Sequence, residues 1–208
     1  MNASVLEQMG RHVLMPQIGV AGQNRIQSAT VMVIGCGGMG NAAIAYLAAS
    51  GVHNLIIADF DVIDQGHLQR QILFGQQDVR KAKADVIESR LMAQYPGIVI
   101  TPIRQKLNLE RLLQCLKSCD VVIDCSDNFA TRYTLNRLCV KFKKPLVSGA
   151  ALGFEGQITV YDMRHDDSPC YHCLFPDNGE DTDLRCATNG VFAPLVGMIG
   201  TAQAAETL

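Results

Sequence analysis

The 208-residue sequence lacks the features that would direct it to a membrane, to secretion or to nucleic acid. Tryptophan is absent, and nowhere do eighteen apolar residues run together, so no membrane-spanning helix is expected. The first positive charge is Arg11 and no long apolar core surrounds it, which argues against a secretory signal peptide. A formal net charge of -2 provides no basic excess for a polyanion, and nucleic acid is therefore not an expected partner.

The eight cysteines also lack the arrangement of a disulfide framework. Five of them are spread through predicted strands, helices and the turn between them: Cys36, Cys115, Cys119, Cys125 and Cys139. This usage is typical of the reducing cytoplasm, where we expect the protein to act. With 48% apolar residues the chain can bury the core of an α/β domain, and we expect residues 1–208 to form one such domain.

A glycine-rich stretch dominates what is present. Val31–Ile34 is predicted as a strand buried on both faces, and an apolar helical pattern runs from the glycines to Ser50. A second strand then ends on Asp59, nineteen residues after the last glycine, where a carboxylate can accept a ribose hydroxyl. The turn between strand and helix holds Gly35, Gly37, Gly38 and Gly40. Such a turn lets an anion approach the free N–H groups of a helix N-terminus, and the pattern predicts a nucleotide site.

The rest of the chain predicts a Rossmann-like, doubly wound sheet that is mostly parallel. A short helical arm is expected over 1–28, and the segment 155–162 alternates polar and apolar residues, as in an antiparallel strand at the end of the sheet. A polar, cysteine-containing loop is expected over 163–189. Helices are predicted over 79–95, 107–116, 129–142 and 190–206, and further strands over 98–103, 120–124 and 145–150.

Charged and amide side chains follow the predicted strands, in loops that share one edge of such a sheet. Each has a structural alternative: Arg70 and Lys83 could be solvated surface charges, and Asp127 could cap the following helix. Together they predict a triphosphate site, with cations on the phosphates and a carboxylate holding Mg²⁺, whereas NAD has no use for the two cations. The set is Asp61, Arg70, Gln71, Lys83, Asp127 and Asn128.

The motifs G-C-G-G-M-G, D-F-D, L-Q-R-Q, C-S-D-N, G-A-A-L-G-F-E-G-Q and C-Y-H-C resemble the ThiF/MoeB/HesA family, related to ubiquitin-activating enzymes. The resemblance covers essentially the whole chain. It implies that Asp59 binds the ATP ribose, that Arg70 and Lys83 bind the phosphates, and that Asp127 binds Mg²⁺. It also implies a homodimer in which Arg11 reaches into the site of the neighbouring subunit.

Members of that family adenylate small ubiquitin-like sulfur-carrier proteins. The resemblance therefore implies attack of the carrier's C-terminal carboxylate on the α-phosphate of ATP, with release of pyrophosphate. A carboxylate needs no general base, which fits a sequence without an evident catalytic His or Ser. Thiamine-thiazole synthesis is favoured over molybdopterin synthesis, and a sulfurtransferase or cysteine desulfurase is a further expected partner.

Three departures from the family bear on details. His67 stands where the family usually has Asn, and Arg80 lies where a G-x-P-K pattern often occurs. Cys170 and Cys173 resemble half of the family's zinc site, and the sequence ends within a helical pattern, so we expect a chain truncated relative to the family. Two thiolates supply half of a closed zinc site, so we expect weak or no zinc unless His165, His172 or Cys186 contributes.

Cys186 is a candidate nucleophile that acts after adenylation. A buried, inert cysteine is the usual alternative, but the neighbouring sequence is polar and a helix is predicted to begin just after it, which would lower the thiol pKa. ThiF-type members look similar at this position. Two readings from other classes stay open: a non-catalytic nucleotide-binding scaffold of the same fold, and an NAD-dependent dehydrogenase, although no substrate domain follows.

Overall fold

The structure, a computed structural model, describes residues 7–177 and 190–208. Its described residues contain one six-stranded sheet with the order β3-β2-β1-β4-β5-β6. The strands are β1 (Thr30–Ile34), β2 (Asn54–Ala58), β3 (Val99–Ile103), β4 (Val121–Asp124), β5 (Leu146–Leu152) and β6 (Glu155–Tyr161). Strands β1 to β5 are parallel and β6 is antiparallel to β5, which confirms the predicted fold class.

Eight helices are described besides two short 3₁₀ turns, Gln65–His67 and Gln76–Asp78. They are α1 (Gly10–Val13), α2 (Gly19–Ser28), α3 (Gly38–Ala49), α4 (Lys83–Gln94), α5 (Leu109–Ser118), α6 (Phe129–Phe142), α7 (Tyr171–Leu174) and α8 (Ala193–Thr207). Among the described helices, none has the length and apolar character needed to cross a bilayer.

The two faces of the sheet are covered by separate apolar clusters. On one face, Ile44, Ile87 and Val196 come from α3, α4 and α8. On the other, Leu116 and Leu135 come from α5 and α6. Because both faces are covered, the central strands read as continuous apolar runs.

The strand order reverses direction between β1 and β4, which pair in register from Val31↔Val121 to Ile34↔Asp124. In open α/β sheets, ligands bind in the crevice at the carboxyl ends of strands at such a reversal. The fold therefore directs attention to the segments that follow Ile34 and Asp124.

The predicted helix that carries Lys83 is shorter in the structure. The helix predicted over 79–95 begins only at Lys83, because Arg80 has a positive φ of 73° that an α-helix does not accommodate. Val62 also pairs with Ala82 in an isolated bridge, which keeps the chain extended there. These features place Lys83 in the first turn of α4, beside the segment that follows β2.

The arm packs against its own chain. Met9 is buried, and Gln23 of α2 donates a hydrogen bond of 2.8 Å to the carbonyl of Ser50. His12 of α1 is joined to Gln23 at 3.0 Å. The arm therefore covers the C-terminal end of α3, at the edge of the sheet opposite the crevice.

Candidate functional site

Two glycines of the turn between β1 and α3 are required by the chain itself. Gly35 has a φ of +92°, and a Cβ there would lie 2.7 Å from the carbonyl oxygen of Cys125. A Cβ on Gly40 would lie 1.9 Å from the carbonyl oxygen of Gly35. The chain therefore turns so tightly between β1 and α3 that neither position can carry a side chain.

The other two glycines shape the surface of the turn. A Cβ on Gly38 would lie 2.6 Å from the Val196 side chain and 3.4 Å from the carbonyl oxygen of Arg70. A Cβ on Gly37 would meet no heavy atom within 4 Å. Gly37 is also the N-cap of α3, and no side chain caps it. The N-terminal N–H groups of α3 thus adjoin open space that an anion can enter.

Asp59 follows β2 directly and is held by the backbone. Its Oδ2 accepts a hydrogen bond from the N–H of Cys36 at 2.7 Å, and its Oδ1 accepts one from the N–H of Asp61 at 2.8 Å. Burial raises the pKa of the Asp59 carboxyl, although the charge of Lys83 and both backbone donors oppose the rise. Lone pairs remain on each oxygen, so the carboxylate can also accept a ribose hydroxyl.

Lys83 is buried, which excludes the alternative of a solvated surface charge. Its side chain is 4% exposed, and its Nζ lies 2.8 Å from Asp61 Oδ2 and 3.9 Å from Asp59 Oδ2. Asp61 is half exposed. A buried ammonium must be paired, and Asp61 supplies a partner that solvent or an entering phosphate can replace.

The backbone carbonyl of Arg70 lies beside the glycine turn, 3.4 Å from the position of a Cβ on Gly38. The Nη1 of Arg70 donates a hydrogen bond of 3.0 Å to the carbonyl of Gly66, within the same crossover segment. The next residue, Gln71, is 3% exposed, and its side-chain Oε1 has no hydrogen-bond partner. Because an unpaired buried amide oxygen is costly, this side chain has unused capacity to accept a hydrogen bond at the site.

Asp127 is not the helix cap that the sequence allowed as its alternative role. Asn128 is the N-cap of α6, and its Oδ1 accepts from the N–H of Thr131 at 2.9 Å. Asp127 is exposed one residue earlier, with Asn128 Nδ2 at 3.4 Å. An exposed carboxylate beside the crevice fits Mg²⁺, which binds through one or two carboxylates together with phosphate oxygens and water.

The loop that carries Asp127 rests on a buried network that the sequence analysis missed. Arg132 donates to the carbonyl of Ser126 at 2.6 Å and approaches Asp124 Oδ2 at 3.7 Å. Asp124 Oδ1 in turn accepts from the hydroxyl of Ser126 at 2.6 Å. The sequence did offer a signal for this network: Asp124 ends a predicted strand, and Arg132 lies about one turn into the helix that follows.

His67 belongs to the same crossover segment. Its Nδ1 accepts a hydrogen bond from the N–H of Asp64 at 2.9 Å, which assigns the ring proton to Nε2. Partial burial lowers the pKa of His67, and the charges of Lys83 and Arg70 lower it further, while Asp64 and Asp61 oppose them. The neutral ring therefore closes the Gln65–His67 turn.

Arg11 does not reach the glycine turn of its own subunit. It is exposed on α1, in the arm that packs on the C-terminal end of α3. The twelve residues of α3 separate that end from Gly37 by about 18 Å. Within one subunit, the arm therefore cannot contribute this guanidinium to the turn.

The loop expected over 163–189 contains a one-turn helix, α7. Cys170 is the N-cap of this helix, and Cys173 lies within it. Their Sγ atoms are 3.7 Å apart, close to the spacing of about 3.8 Å for two thiolates on one tetrahedral zinc. Burial alone would raise the pKa of Cys170, but N–H donors from Asn136, Cys173 and His172 bring it below its ordinary value.

No third ligand joins the Cys170–Cys173 pair within 7–177 and 190–208, where no group of three or more His, Cys, Asp or Glu side chains could hold a metal ion. Neither His165 nor His172 therefore supplies the missing ligands. Cys186, the candidate nucleophile, lies outside the described residues, as does the neighbouring Arg185.

A glycine-rich turn at the switch point of an open, mostly parallel sheet defines a nucleotide-binding α/β protein. The chain belongs to the ThiF family, whose profile matches residues 9–208. It is 39% identical over 208 residues to the sulfur carrier protein ThiS adenylyltransferase of Escherichia coli, covering all of this chain and 82% of that one.

It is also 42% identical over 199 residues to the adenylyltransferase and sulfurtransferase MOCS3 of Xenopus laevis, covering 95% of this chain and 44% of that protein. Among solved structures, it is similar to Escherichia coli MccB crystallised with AMPCPP and MccA, with a TM-score of 0.76 and 26% identity. That match covers 89% of this chain and 56% of MccB. The chain is thus an adenylyltransferase of the ThiF family, which implies use of ATP.

Replacement of Gly37 by Ala should separate ligand binding from folding. The added methyl group enters open space, so the midpoint of thermal unfolding without nucleotide should stay within about 2 °C of the wild type. Because that open space adjoins the start of α3, where an ATP phosphate is expected to bind, the Kd for ATP should rise at least about tenfold, roughly 1.4 kcal/mol. Differential scanning fluorimetry and calorimetric titration measure the two quantities.

Gly197→Ala is the matched control, because its Cβ also meets nothing within 4 Å but lies on α8. It should leave the Kd unchanged, and the melting temperature should stay the same or rise by a few degrees, because alanine is favoured over glycine inside a helix. A Gly37→Ala variant that binds ATP as tightly as the wild type would show that Gly37 does not face the ligand.

The lowered pKa of His67 predicts a pH dependence of stability. The unfolded chain protonates this side chain as pH falls through about 6.5, while the folded protein resists protonation, so folding stability is lost below that pH. His67→Asn keeps an acceptor but does not titrate, and should reduce the fall in melting temperature between pH 7 and pH 5. Equal pH profiles for the wild type and His67→Asn would contradict the assignment.

Proposed function

We propose that the protein adenylates the C-terminal carboxylate of a small ubiquitin-like sulfur-carrier protein. One observation carries the proposal: a glycine turn with open space at Gly37 is flanked by the guanidinium-bearing segment of Arg70 and by the buried ammonium of Lys83. Two cations beside an anion cradle exceed what a dinucleotide needs and match a triphosphate. The name of the Escherichia coli relative, sulfur carrier protein ThiS adenylyltransferase, supports the acceptor class.

In this proposal each side chain has one role. Asp59 binds the ribose, the glycine turn binds phosphate through N–H groups, and Arg70 and Lys83 neutralise phosphate oxygens. The carboxylate of Asp127, with Asn128 beside it, would hold Mg²⁺. A bound Mg²⁺ would stabilise negative charge on the phosphates. Gln71 and Asp61 complete the polar lining.

The chemistry needs little from the chain beyond positioning. The attacking group is a carboxylate that is already ionised, so no side chain has to remove a proton. An oxygen of the carrier's carboxylate bonds to the α-phosphorus, and the bond to the bridging oxygen breaks to release pyrophosphate. Charge develops on that leaving group, where the two cations are proposed to act, so electrostatic preorganisation supplies the rate enhancement.

Thiamine-thiazole synthesis is the pathway we favour, and molybdopterin synthesis is the second candidate. The ThiS adenylyltransferase is matched over 82% of its length, whereas MOCS3 is matched over 44%. Identities of 39% and 42% are too similar to separate the two. The carrier proteins distinguish the two pathways, because only the cognate carrier should place its C-terminal carboxylate at the site and support adenylation.

The remaining assignments concern assembly and later steps. We propose that residues 1–208 form a single adenylation domain that acts in the cytoplasm as a homodimer. Arg11 would act in the partner's site, since it lies far from its own.

The Cys170–Cys173 pair would supply two of four zinc ligands. Cys186 would act as a nucleophile after adenylation, with sulfur supplied by a sulfurtransferase or cysteine desulfurase. A non-catalytic scaffold stays as the alternative if no adenylation is observed.

Carrier-dependent ATP–pyrophosphate exchange tests the reaction directly. The wild type should exchange radioactive pyrophosphate into ATP only when a cognate carrier with an intact C-terminus is present. Arg70→Ala removes one preorganised cation and should slow exchange about 10²-fold, or roughly 3 kcal/mol of transition-state stabilisation. Arg111→Ala, on the exposed face of α5, is the matched control and should leave the rate unchanged.

Purified thiamine-pathway and molybdopterin-pathway carriers are compared in that assay. Faster exchange with the second carrier would reverse the pathway assignment. Absence of exchange with both, under conditions where ATP binds, would favour the scaffold.

Subunit mixing tests the role of Arg11. Neither Arg11→Ala nor Asp127→Ala homodimers should support exchange, but a mixture should recover part of the activity, because one hybrid site then has both residues. Recovery should rise with the time allowed for subunit exchange, which labelled subunits can follow. Confirmed mixing without recovery would contradict a role for Arg11 in the partner's site.

A further inference from the structure

Asn41 is an uncharged polar side chain in the middle of the apolar packing between α3 and the sheet. It lies in the first turn of α3 and is 0% exposed. A buried amide costs free energy unless both its oxygen and its nitrogen find partners. Here both do, and the two partners belong to different segments of the site.

The amide bridges the glycine turn and the crossover segment after β2. Its Nδ2 donates a hydrogen bond of 2.7 Å to the carbonyl of Cys36, inside the glycine turn. Its Oδ1 accepts a hydrogen bond of 2.8 Å from the N–H of Leu73, three residues after Arg70. The partners lie five residues before and 32 residues after Asn41 in the sequence. One side chain therefore fixes the distance between these segments.

The segment that Asn41 holds has little regular structure of its own. Residues 68–75 lie between the two 3₁₀ turns, and the backbone N–H groups of Arg70 and Gln71 both bond to the carbonyl of His67. Such local bonds shape the segment but do not attach it to the sheet. Hydrogen bonds from outside the segment hold it at Leu73, and the buried side chain of Phe74 packs into the apolar cluster on that face of the sheet.

Leu73 is held from both sides. Asn41 binds its N–H, and Arg90 of α4 donates to its carbonyl while also pairing with Asp78 at 2.8 Å. The same segment meets the glycine turn at Gly38, where a Cβ would be in van der Waals contact with the carbonyl oxygen of Arg70, at 3.4 Å. The backbone of Arg70 thus lies between a close contact and an anchored residue.

We propose that Asn41 is a positioning residue that locks the Arg70 segment to the glycine turn, so that the guanidinium and the helix N–H groups address the same phosphate chain. The inference rests on the proposed function, in which Arg70 binds ATP phosphate. Only a side chain with a donor and an acceptor on one short stem satisfies both partners. Aspartate would keep the bond to the Leu73 N–H but would set a carboxylate oxygen against the carbonyl of Cys36.

A double-mutant cycle on MgATP binding tests the inference. Asn41→Ala should raise the Kd about tenfold when Arg70 is present and less than twofold in an Arg70→Ala background, because its effect passes through Arg70. A purely structural role predicts a lower melting temperature with an unchanged Kd, or the same factor in both backgrounds. Either result would overturn the inference.

Asn136→Ala is the matched control. Asn136 is also buried and also bridges two segments, since it accepts from the N–H of Tyr171 at 2.8 Å and donates to Cys170 Sγ at 3.4 Å. It lies on the other face of the sheet and should lower the melting temperature without changing the Kd. If Asn41→Ala does not fold, Asn41→Asp is taken through the same cycle and should show the same coupling to Arg70.

The Arg70→Ala variant alone separates the two hypotheses. If it binds MgATP as well as the wild type, the assigned role of Arg70 in the proposed function fails, and the inference fails with it. If it binds more weakly but the Asn41 effect persists unchanged beside it, only the inference fails.

Discussion

The close approach of Gly40 to the carbonyl of Gly35 is the constraint on which the site depends. A methyl group at position 40 would lie 1.9 Å from that oxygen, so the chain can turn from β1 into α3 only with glycine there. This reversal aims the N-terminus of α3 at the crevice beside β4. The open space at Gly37 follows from the same turn.

Electrostatics around the turn are arranged by burial. Lys83 is withdrawn from solvent and held by Asp61 and, more distantly, Asp59. Asp59 is itself fixed by two backbone N–H groups and has a raised pKa because of its burial. The Lys83 ammonium therefore lies beside the glycine turn, where the N-terminus of α3 adds a positive potential. A bound phosphate would replace Asp61 as the partner of this ammonium and would not have to displace a shell of water.

Much of this could be predicted from the sequence because the signals are local. Apolar runs gave the buried strands, and glycines between a strand and a helix gave the turn. Long-range contacts were beyond reach: nothing near Asn41 indicates that its amide bonds to Leu73, and nothing near Lys83 reveals its burial. The positive φ of Arg80 also depends on backbone geometry that the local sequence does not specify. The same holds for the N-cap of α6, because Asp127 and Asn128 are both good capping residues and only the structure shows that Asn128 has this role.

The central claim is that the turn binds a nucleoside triphosphate, and calorimetric titration with MgATP and with NAD tests it most directly. MgATP should bind at a stoichiometry of one per subunit with an affinity that falls as salt is raised, because charged side chains contact the phosphates. NAD should neither bind measurably nor compete. Binding of NAD with no heat from MgATP would contradict the account and favour a dehydrogenase-type site.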